Sequence, residues 1–365
     1  MNVMVFPYDF EFLPVLKNRH LLTDITIKSL VSPSGFGLTG KDGYFFDDDK
    51  KSGLTIISQM SKEQFGGIDA VWLTEAIKKL HPEEIREYIK NISQYVKTVI
   101  FTFAEDKAFE KGIIGLCELY GIKTITTQDY LLTYNMLDIE SITDSLKWRK
   151  CETPVITVFG ISGMTQKFEL QLYLRSQFLN RGYKVSQIGS KSLCETMGFY
   201  SIPAFIFSSK YTEIEKVLKL NAFIKEIEER ENPDVIIIGI PDGIMPLTQK
   251  HHFNFGIPAY EICCAVNPDF TILSLFDGMY NDEFFEEMTR LFKYRFNIDL
   301  DVFITSHYTP ISNSIDEERL AFTYTKGTKN DSDEFCVYDI KDLENDDVFS
   351  HIVKKLSMYA QFQIM

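Results

Sequence analysis

Histidine and cysteine are scarce in this chain and poorly spaced for chemistry. The six cysteines, Cys117, Cys151, Cys194, Cys263, Cys264 and Cys336, form no C-x-x-C pair, which removes the signature of a dithiol redox enzyme and fits reduced thiols, most of them expected to be buried. Cys263 and Cys264 are adjacent, and in a strand they would face opposite sides, which argues against a shared soft metal. His251 and His252 lack helical i, i+4 spacing, so no zinc pair is expected and no metal ligand set is assigned. No Ser/His/Asp order or nucleophile elbow marks a hydrolase. No apolar run reaches the roughly 20 residues of a membrane span, and no charged-then-apolar leader opens the chain, so the expected location is the cytoplasm, with no membrane partner. Basic residues are also short: 38 Lys and Arg against 52 Asp and Glu give a net charge of −14. That balance argues against a nucleic-acid surface, where cations must neutralise phosphates.

What is present is enough apolar sequence for two cores. The chain has 365 residues, 45% of them hydrophobic, with 30 Phe and 18 Tyr, and this describes a globular protein of two domains. Residues 1–150 alternate short apolar runs with amphipathic ones. Strands are expected at Val3–Tyr8, Ile25–Val31, Asp69–Leu73, Lys97–Phe103 and Lys123–Thr127, and helices at Phe10–Asn18, from Pro82 to Tyr95 and from Asp106 to Tyr120. This alternation implies α/β architecture with a Rossmann-like parallel sheet. Gly35-Phe-Gly-Leu-Thr-Gly40 is formally G-x-G-x-x-G but runs into a polar loop, where a dinucleotide fingerprint would open a helix. The acidic run Asp47–Asp49 reads as solvated. Low-pattern sequence over 131–153 is expected to be a linker or a connecting helix.

Residues 151–365 continue α/β, and their first element carries the chemistry. Val155-Ile-Thr-Val-Phe-Gly160 is an apolar strand, and after five more residues come Gln166, Lys167 and a helix to Arg181. Loop N–H groups and a helix N-terminus then converge on one point that favours an anion. Gly160, Ser162, Gly163, Thr165 and Lys167 are the candidate phosphate-binding residues. The spacing resembles the longer phosphate loop of dethiobiotin synthetase and its relatives, with Gln166 in place of the second glycine and Phe168 in place of the magnesium-binding hydroxyl. A second strand, Asp234–Gly239, ends in Pro241-Asp-Gly243. Asp242 there is the acid placed to assist metal or water, or else a turn residue. Lys167 and Asp242 are therefore the catalytic candidates, and ATP or another nucleotide with Mg²⁺ is the candidate cofactor. Further strands are expected at Tyr183–Ile188, Phe270–Leu275 and Val302–Thr305, and helices at Tyr211–Arg230 and Asp282–Phe296. Leu320–Thr325 and Glu334–Tyr338 read as a hairpin, ahead of a C-terminal helix.

A set of linked segments resembles a family of peptide maturation system proteins, which accompany short ribosomal precursor peptides of bacteriocin or natural-product type. The segments are Pro7-Tyr-Asp9, Leu30-Val-Ser-Pro33, Gly37–Asp42, Gly160-Ile-Ser-Gly163 with Lys167-Phe168, Leu170-Gln-Leu172, Gly239-Ile-Pro241, Gly243–Pro246, Asn254-Phe-Gly256 and Ala259-Tyr-Glu261. The chain differs from the family pattern at Ile161, Gln166, Glu169 and Asp242. The resemblance implies a biosynthetic setting with a precursor peptide and peptide-modifying enzymes as partners, and it specifies no reaction. Two roles follow: a nucleotide-dependent enzyme or switch built on a degenerate Walker A loop, or a nucleotide-independent adaptor that presents the peptide. Association into a homo-oligomer is compatible with either.

Overall fold

Short runs of β-branched and aromatic residues form the strands of two parallel sheets, each in its own unit. The computed structural model describes residues 1–45, 50–102, 107–134, 136–137, 147–311, 321–345 and 347–362. One unit comprises Met1–Met136 with Ser192–Tyr200, the other Leu137–Lys191 with Ser201–Met365. The acidic run Asp47–Asp49 and the linker residues 138–146 lie outside the described residues.

The first unit contains β1 (Asn2–Phe6), β2 (Thr26–Val31), β3 (Ile56–Ile57), β4 (Ala70–Leu73), β5 (Thr98–Phe101) and β6 (Lys123–Ile125). Their order is β3-β2-β1-β4-β5-β6, with every pairing parallel. This is the Rossmann order. Its helices are α1 (Leu13–Lys17), α2 (Pro82–Ile92), α3 (Lys107–Leu119) and α4 (Thr127–Thr133). Helix α2 starts at Pro82, whose missing N–H costs nothing in a first turn, and Glu84 reaches back to the His81 N–H at 2.9 Å. Its Ile85, Ile89 and Ile92 repeat at helical spacing and pack on Met4, Phe6, Val71, Leu73, Val99 and Phe101. The opposite sheet face is covered too, with Phe12 edge-on to Trp72 at 5.0 Å. Residues 35–40 form a 3₁₀ turn (Ser34–Phe36) and a loop, with Gly37 and Gly40 at φ 68° and 82°. The turn after β1 is Pro7-Tyr8-Asp9, where a dinucleotide fold has its glycines.

The second unit runs β7 (Val155–Gly160), α5 (Lys167–Asn180), β8 (Val185–Gly189), β9 (Tyr200–Ser201), α6 (Glu213–Glu231), β10 (Val235–Gly239), α7 (Ile257–Ala265), β11 (Phe270–Leu275) and α8 (Asp282–Leu291). It closes with β12 (Val302–Thr305), β13 (Tyr308–Pro310), β14 (Phe322–Tyr324), β15 (Val337–Asp339) and α9 (Asp347–Phe362). The main sheet has the order β15-β12-β11-β7-β10-β8-β9, parallel from β15 to β8. Strand β7 is central, all six of its residues are buried, and its continuous apolar run is what burial on both faces requires. Ile156 and Val158 face Leu170, Leu174 and Phe178 of α5 and Val348, Phe349 and Ile352 of α9. Phe159 points the other way, onto Phe292 and Phe296 at 5.0 and 5.7 Å. On that second face α7 packs against α6 and against the π-helical turn Phe292–Phe296 that ends α8. The chain thus leaves β7 on one face and its neighbour β10 on the other. In open α/β sheets the crevice at such a switch point, outside the carboxyl ends of the strands, is where ligands bind.

Two local expectations are corrected. Phe322–Tyr324 and Val337–Asp339 do not form a hairpin with each other. The former pairs antiparallel with β13 and the latter adds in parallel to β12. The turn-like Lys326–Asp331 stretch spans the two sheets instead, because β12 offers a buried neighbour on which Val337 and Tyr338 can complete a ladder. Cys263 and Cys264 lie on helix α7, with Cys263 buried and Cys264 exposed. Burial is less general than expected for the thiols, since Cys151 and Cys336 are only partly covered. Among the described residues, no helix is long and apolar enough to cross a membrane.

The approach to β7 is held by a carboxylate of α6. Glu228 of α6, itself 8% exposed, accepts from the N–H groups of Glu152 and Thr153 at 2.7 and 2.6 Å and from Lys225 Nζ. Burial works to raise its pKa, but the bonds from Lys225, Thr153 and Glu152 outweigh it and hold the group at about 2, against an ordinary 4.5. Because the folded pKa is depressed, the stabilisation is complete above pH 4.5 and is lost as pH falls towards 2. Glu228→Gln is therefore expected to cost about 1–3 kcal/mol at neutral pH. Urea titrations across this acid window should show a shallower pH dependence for the variant by one proton.

Candidate functional site

The site is built where β7 ends. A Cβ at Gly160 would sit 2.5 Å from Thr165 Oγ1 and 2.6 Å from Ser162 O, so only glycine lets the loop fold back over its own strand. Gly160 O accepts from Ile244 N at 3.1 Å, and Ile161 N donates to Ser274 O at 2.9 Å. Ser274 Oγ donates to Thr165 O. A Cβ at Gly243 would meet Ser162 Cα at 2.5 Å, and one at Gly163 would meet the Phe253 ring at 2.8 Å. The turn after β10 and the ring of Phe253 thus lie directly on the loop.

Among the described residues, no hydrogen bond uses the backbone N–H of Ser162 to Gln166. Helix α5 begins at Lys167 and its N-cap, Gln166, makes no side-chain cap bond. Three side-chain atoms here are buried without a hydrogen-bond partner: Ser162 Oγ, Thr165 Oγ1 and Lys167 Nζ. Burial lowers the pKa of Lys167 to about 8; the negative charge of Asp242 opposes the shift and the positive charge of Lys191 adds to it. Each buried polar group left unpaired costs about 1–3 kcal/mol. An anion seated on the loop would remove that cost wherever it bonds one of these atoms, and would meet the positive end of α5.

The two sequence differences from a Walker A loop have distinct outcomes. Gln166 adopts φ 55°, ψ 14°, the left-handed conformation that glycine takes without strain. Its side chain is put to structural use. Oε1 accepts from the His307 N–H at 2.6 Å, and Nε2 donates to Glu169 Oε2 at 2.9 Å. Glu169 is thereby engaged with an amide at the loop's base. Phe168 is 5% exposed and packs as core, so the usual hydroxyl ligand for magnesium is absent. Asp242 sits at φ 54° in the turn after β10 and accepts from Asn254 Nδ2 at 2.7 Å. Gly160, Ser162, Gly163, Thr165, Lys167 and Asp242 therefore converge on one end of the sheet.

Sequence reasoning missed the other half of this edge. His307, two residues past β12, is fully buried, and its Nε2 lies 2.8 and 3.0 Å from the carboxylate oxygens of Asp339 at the end of β15. His307 Nδ1 is buried without a partner. Phe253, Asn254, Phe255 and Gly256 are four consecutive residues at positive φ, a run that holds Phe253 on Gly163 and Asn254 on Asp242. For His307 and Asp339 the available signal was position alone: one follows and the other ends a strand at its carboxyl end.

No family model matches the chain, and no curated protein matches it by sequence. Among solved structures, a DUF1611 family protein from Anabaena variabilis is similar over 84% of this chain and 87% of its own, with 11% identity and a TM-score of 0.56. This likeness is one of fold. Chloroplast FtsY from Physcomitrella patens (14% identity, 63% and 76% coverage, TM-score 0.28) and an apo GTPase from Pyrococcus abyssi (13%, 41% and 66%, TM-score 0.23) are far weaker matches.

Two stability measurements test the site. Gln166→Gly relieves left-handed strain worth about 1 kcal/mol but strips the buried His307 N–H of its acceptor, a loss of about 1–3 kcal/mol. Chemical denaturation is expected to show a net loss of about 1 kcal/mol; a gain would mean that Gln166 is only a poor glycine. For Lys167 the folded pKa lies below its ordinary 10.5, so the ligand-free protein bears the cost of a buried charge below pH 8 and is relieved as pH rises through 8 towards 10.5. Lys167→Met should accordingly stabilise the ligand-free protein at pH 7 by about 1–2 kcal/mol and flatten that pH dependence.

Proposed function

We propose that the second unit binds the phosphate chain of a nucleotide at residues 160–167, and that the protein is an accessory factor in maturation of a ribosomally synthesised peptide. The observation that supports the first part is the group of three buried, unpartnered polar atoms at an uncapped helix N-terminus on the switch point of a parallel sheet. Ser162, Thr165 and Lys167 would hold phosphate oxygens, and the free loop N–H groups would do the same. The biosynthetic setting rests on the sequence resemblance, with a precursor peptide and its modifying enzymes as partners in the cytoplasm. Mg²⁺, where the nucleotide brings it, would supply charge neutralisation on the phosphates; Asp242 is the carboxylate whose field already reaches Lys167.

A second reading is a nucleotide-independent adaptor. It is favoured by Phe168 at the hydroxyl position and by the Phe253 ring closed on Gly163.

Thermal unfolding with ATP, GTP, ADP and inorganic tripolyphosphate, each with and without Mg²⁺, separates the two. Ligand at 100 times its dissociation constant should stabilise wild type by about 2.7 kcal/mol, and Lys167→Met should abolish the shift. Because binding requires the charged ammonium, affinity should hold steady up to about pH 8 and then weaken about tenfold per unit above it. No shift with any phosphate ligand, with the fold intact, would leave the adaptor reading.

A further inference from the structure

The buried polar atoms without partners do not stop at the phosphate loop. Ser162 Oγ, Thr165 Oγ1 and Lys167 Nζ lie at the carboxyl end of β7, and His307 Nδ1 follows the end of β12 on the same edge of the same sheet. Strand β11 lies between them, bonded to the loop through Ser274. Gln166, the residue before Lys167, reaches across to the His307 N–H at 2.6 Å. The backbone at His307 is thereby tied to the loop, and its ring stands on the same sheet edge.

Its chemistry is set by Asp339. An ionised carboxylate only accepts hydrogen bonds, so in the neutral ring the two contacts at 2.8 and 3.0 Å assign the imidazole proton to Nε2. Nδ1 then carries the lone pair. Lys341 N donates to Asp339 Oδ1 at 2.8 Å, which fixes the carboxylate against the ring. A Cβ at Gly327 would meet His307 Nε2 at 2.3 Å and Asp339 Oδ2 at 2.7 Å, so the segment after β14 closes over the pair and admits no side chain there. A carboxylate that orients an imidazole by one nitrogen while the other is left as an acceptor is the arrangement of a general base. The burial of His307 matches that of the loop: Ser162 is 2% and Thr165 0% exposed. A ligand that reaches Lys167 must therefore displace covering groups, of which the Phe253 ring on Gly163 is one.

We infer that His307 and Asp339 form the base of a phosphoryl-transfer site, a role that rests on nucleotide binding at the loop. The substrate class is a nucleoside triphosphate with water as acceptor. As the acceptor oxygen bonds to the terminal phosphorus, its proton passes to His307 Nδ1. The bond from that phosphorus to the bridging oxygen breaks, and the electron pair leaves with the nucleoside diphosphate. Asp339 holds the imidazolium through Nε2–H, and the proton is later returned to phosphate or solvent.

The test uses the full chain with ATP and GTP in the presence of Mg²⁺, with phosphate release and nucleotide-dependent thermal shift measured on the same samples. Wild type should bind and release phosphate. His307→Asn should lose release by about 100-fold or more while its nucleotide shift stays within twofold of wild type in apparent affinity. Asp339→Asn keeps the shape of the pair and serves if His307→Asn fails to fold; it should lower the maximal rate at least tenfold with KM unchanged. Binding by wild type without phosphate release, or release indifferent to both substitutions, would overturn the role of the pair and leave the phosphate loop standing. Absence of any nucleotide shift in wild type would overturn the loop reading, and this inference with it.

Discussion

A lysine ammonium enclosed at the end of a central strand, with no acceptor within hydrogen-bond distance, is the constraint around which the second unit is organised. Nothing in local propensity asks for it, and burial, with Lys191 adding and Asp242 opposing, pushes the group down to about 8. What keeps it there is backbone. Gly160 and Gly243 bring two chain segments closer than any Cβ allows, and α5 is pinned behind the lysine by Leu170, Leu174 and Phe178 in the core. The cost is borne by packing that is independent of the site, an arrangement expected where strain and unpaired groups serve a ligand.

The same logic accounts for Gln166 and for the left-handed run from Phe253 to Gly256. Each non-glycine residue at positive φ costs about 1 kcal/mol or somewhat more. Three of them are held by a specific partner: Gln166 by His307 and Glu169, Asn254 by Asp242, and Phe255 through its carbonyl by Arg295 at 2.6 Å. The differences from a Walker A loop are therefore wired into the surrounding structure. They tie the loop to β12 and, through His307, to the edge strand β15.

Much of the fold was legible because strands and helices depend on short-range pattern. Phe270–Leu275 and Val302–Thr305 stand where the apolar runs place them, and Pro82 marks the start of α2 as its missing N–H requires. The strand–loop–helix order from Val155 to Asn180 was legible too, since strand, small-residue loop, lysine and helix are contiguous. The terminal hairpin was not: Phe322–Tyr324 and Val337–Asp339 alternate well enough to pair with each other, and neighbouring segments cannot reveal that β12 and β13 were free to take them.

The sequence by itself determined two α/β units, a central apolar strand leading into a small-residue loop, and Lys167 at the helix start, because each rests on patterns written within about 20 residues of chain. Only the tertiary structure decided the rest. Strand order placed β10 and β11 on either side of β7 and created the switch point. Parallel addition of β15 to β12 carried Asp339 to His307, residues 32 positions apart. A histidine and an aspartate at that separation have no signature in a single sequence; they become a pair because parallel strands in register end on one common edge.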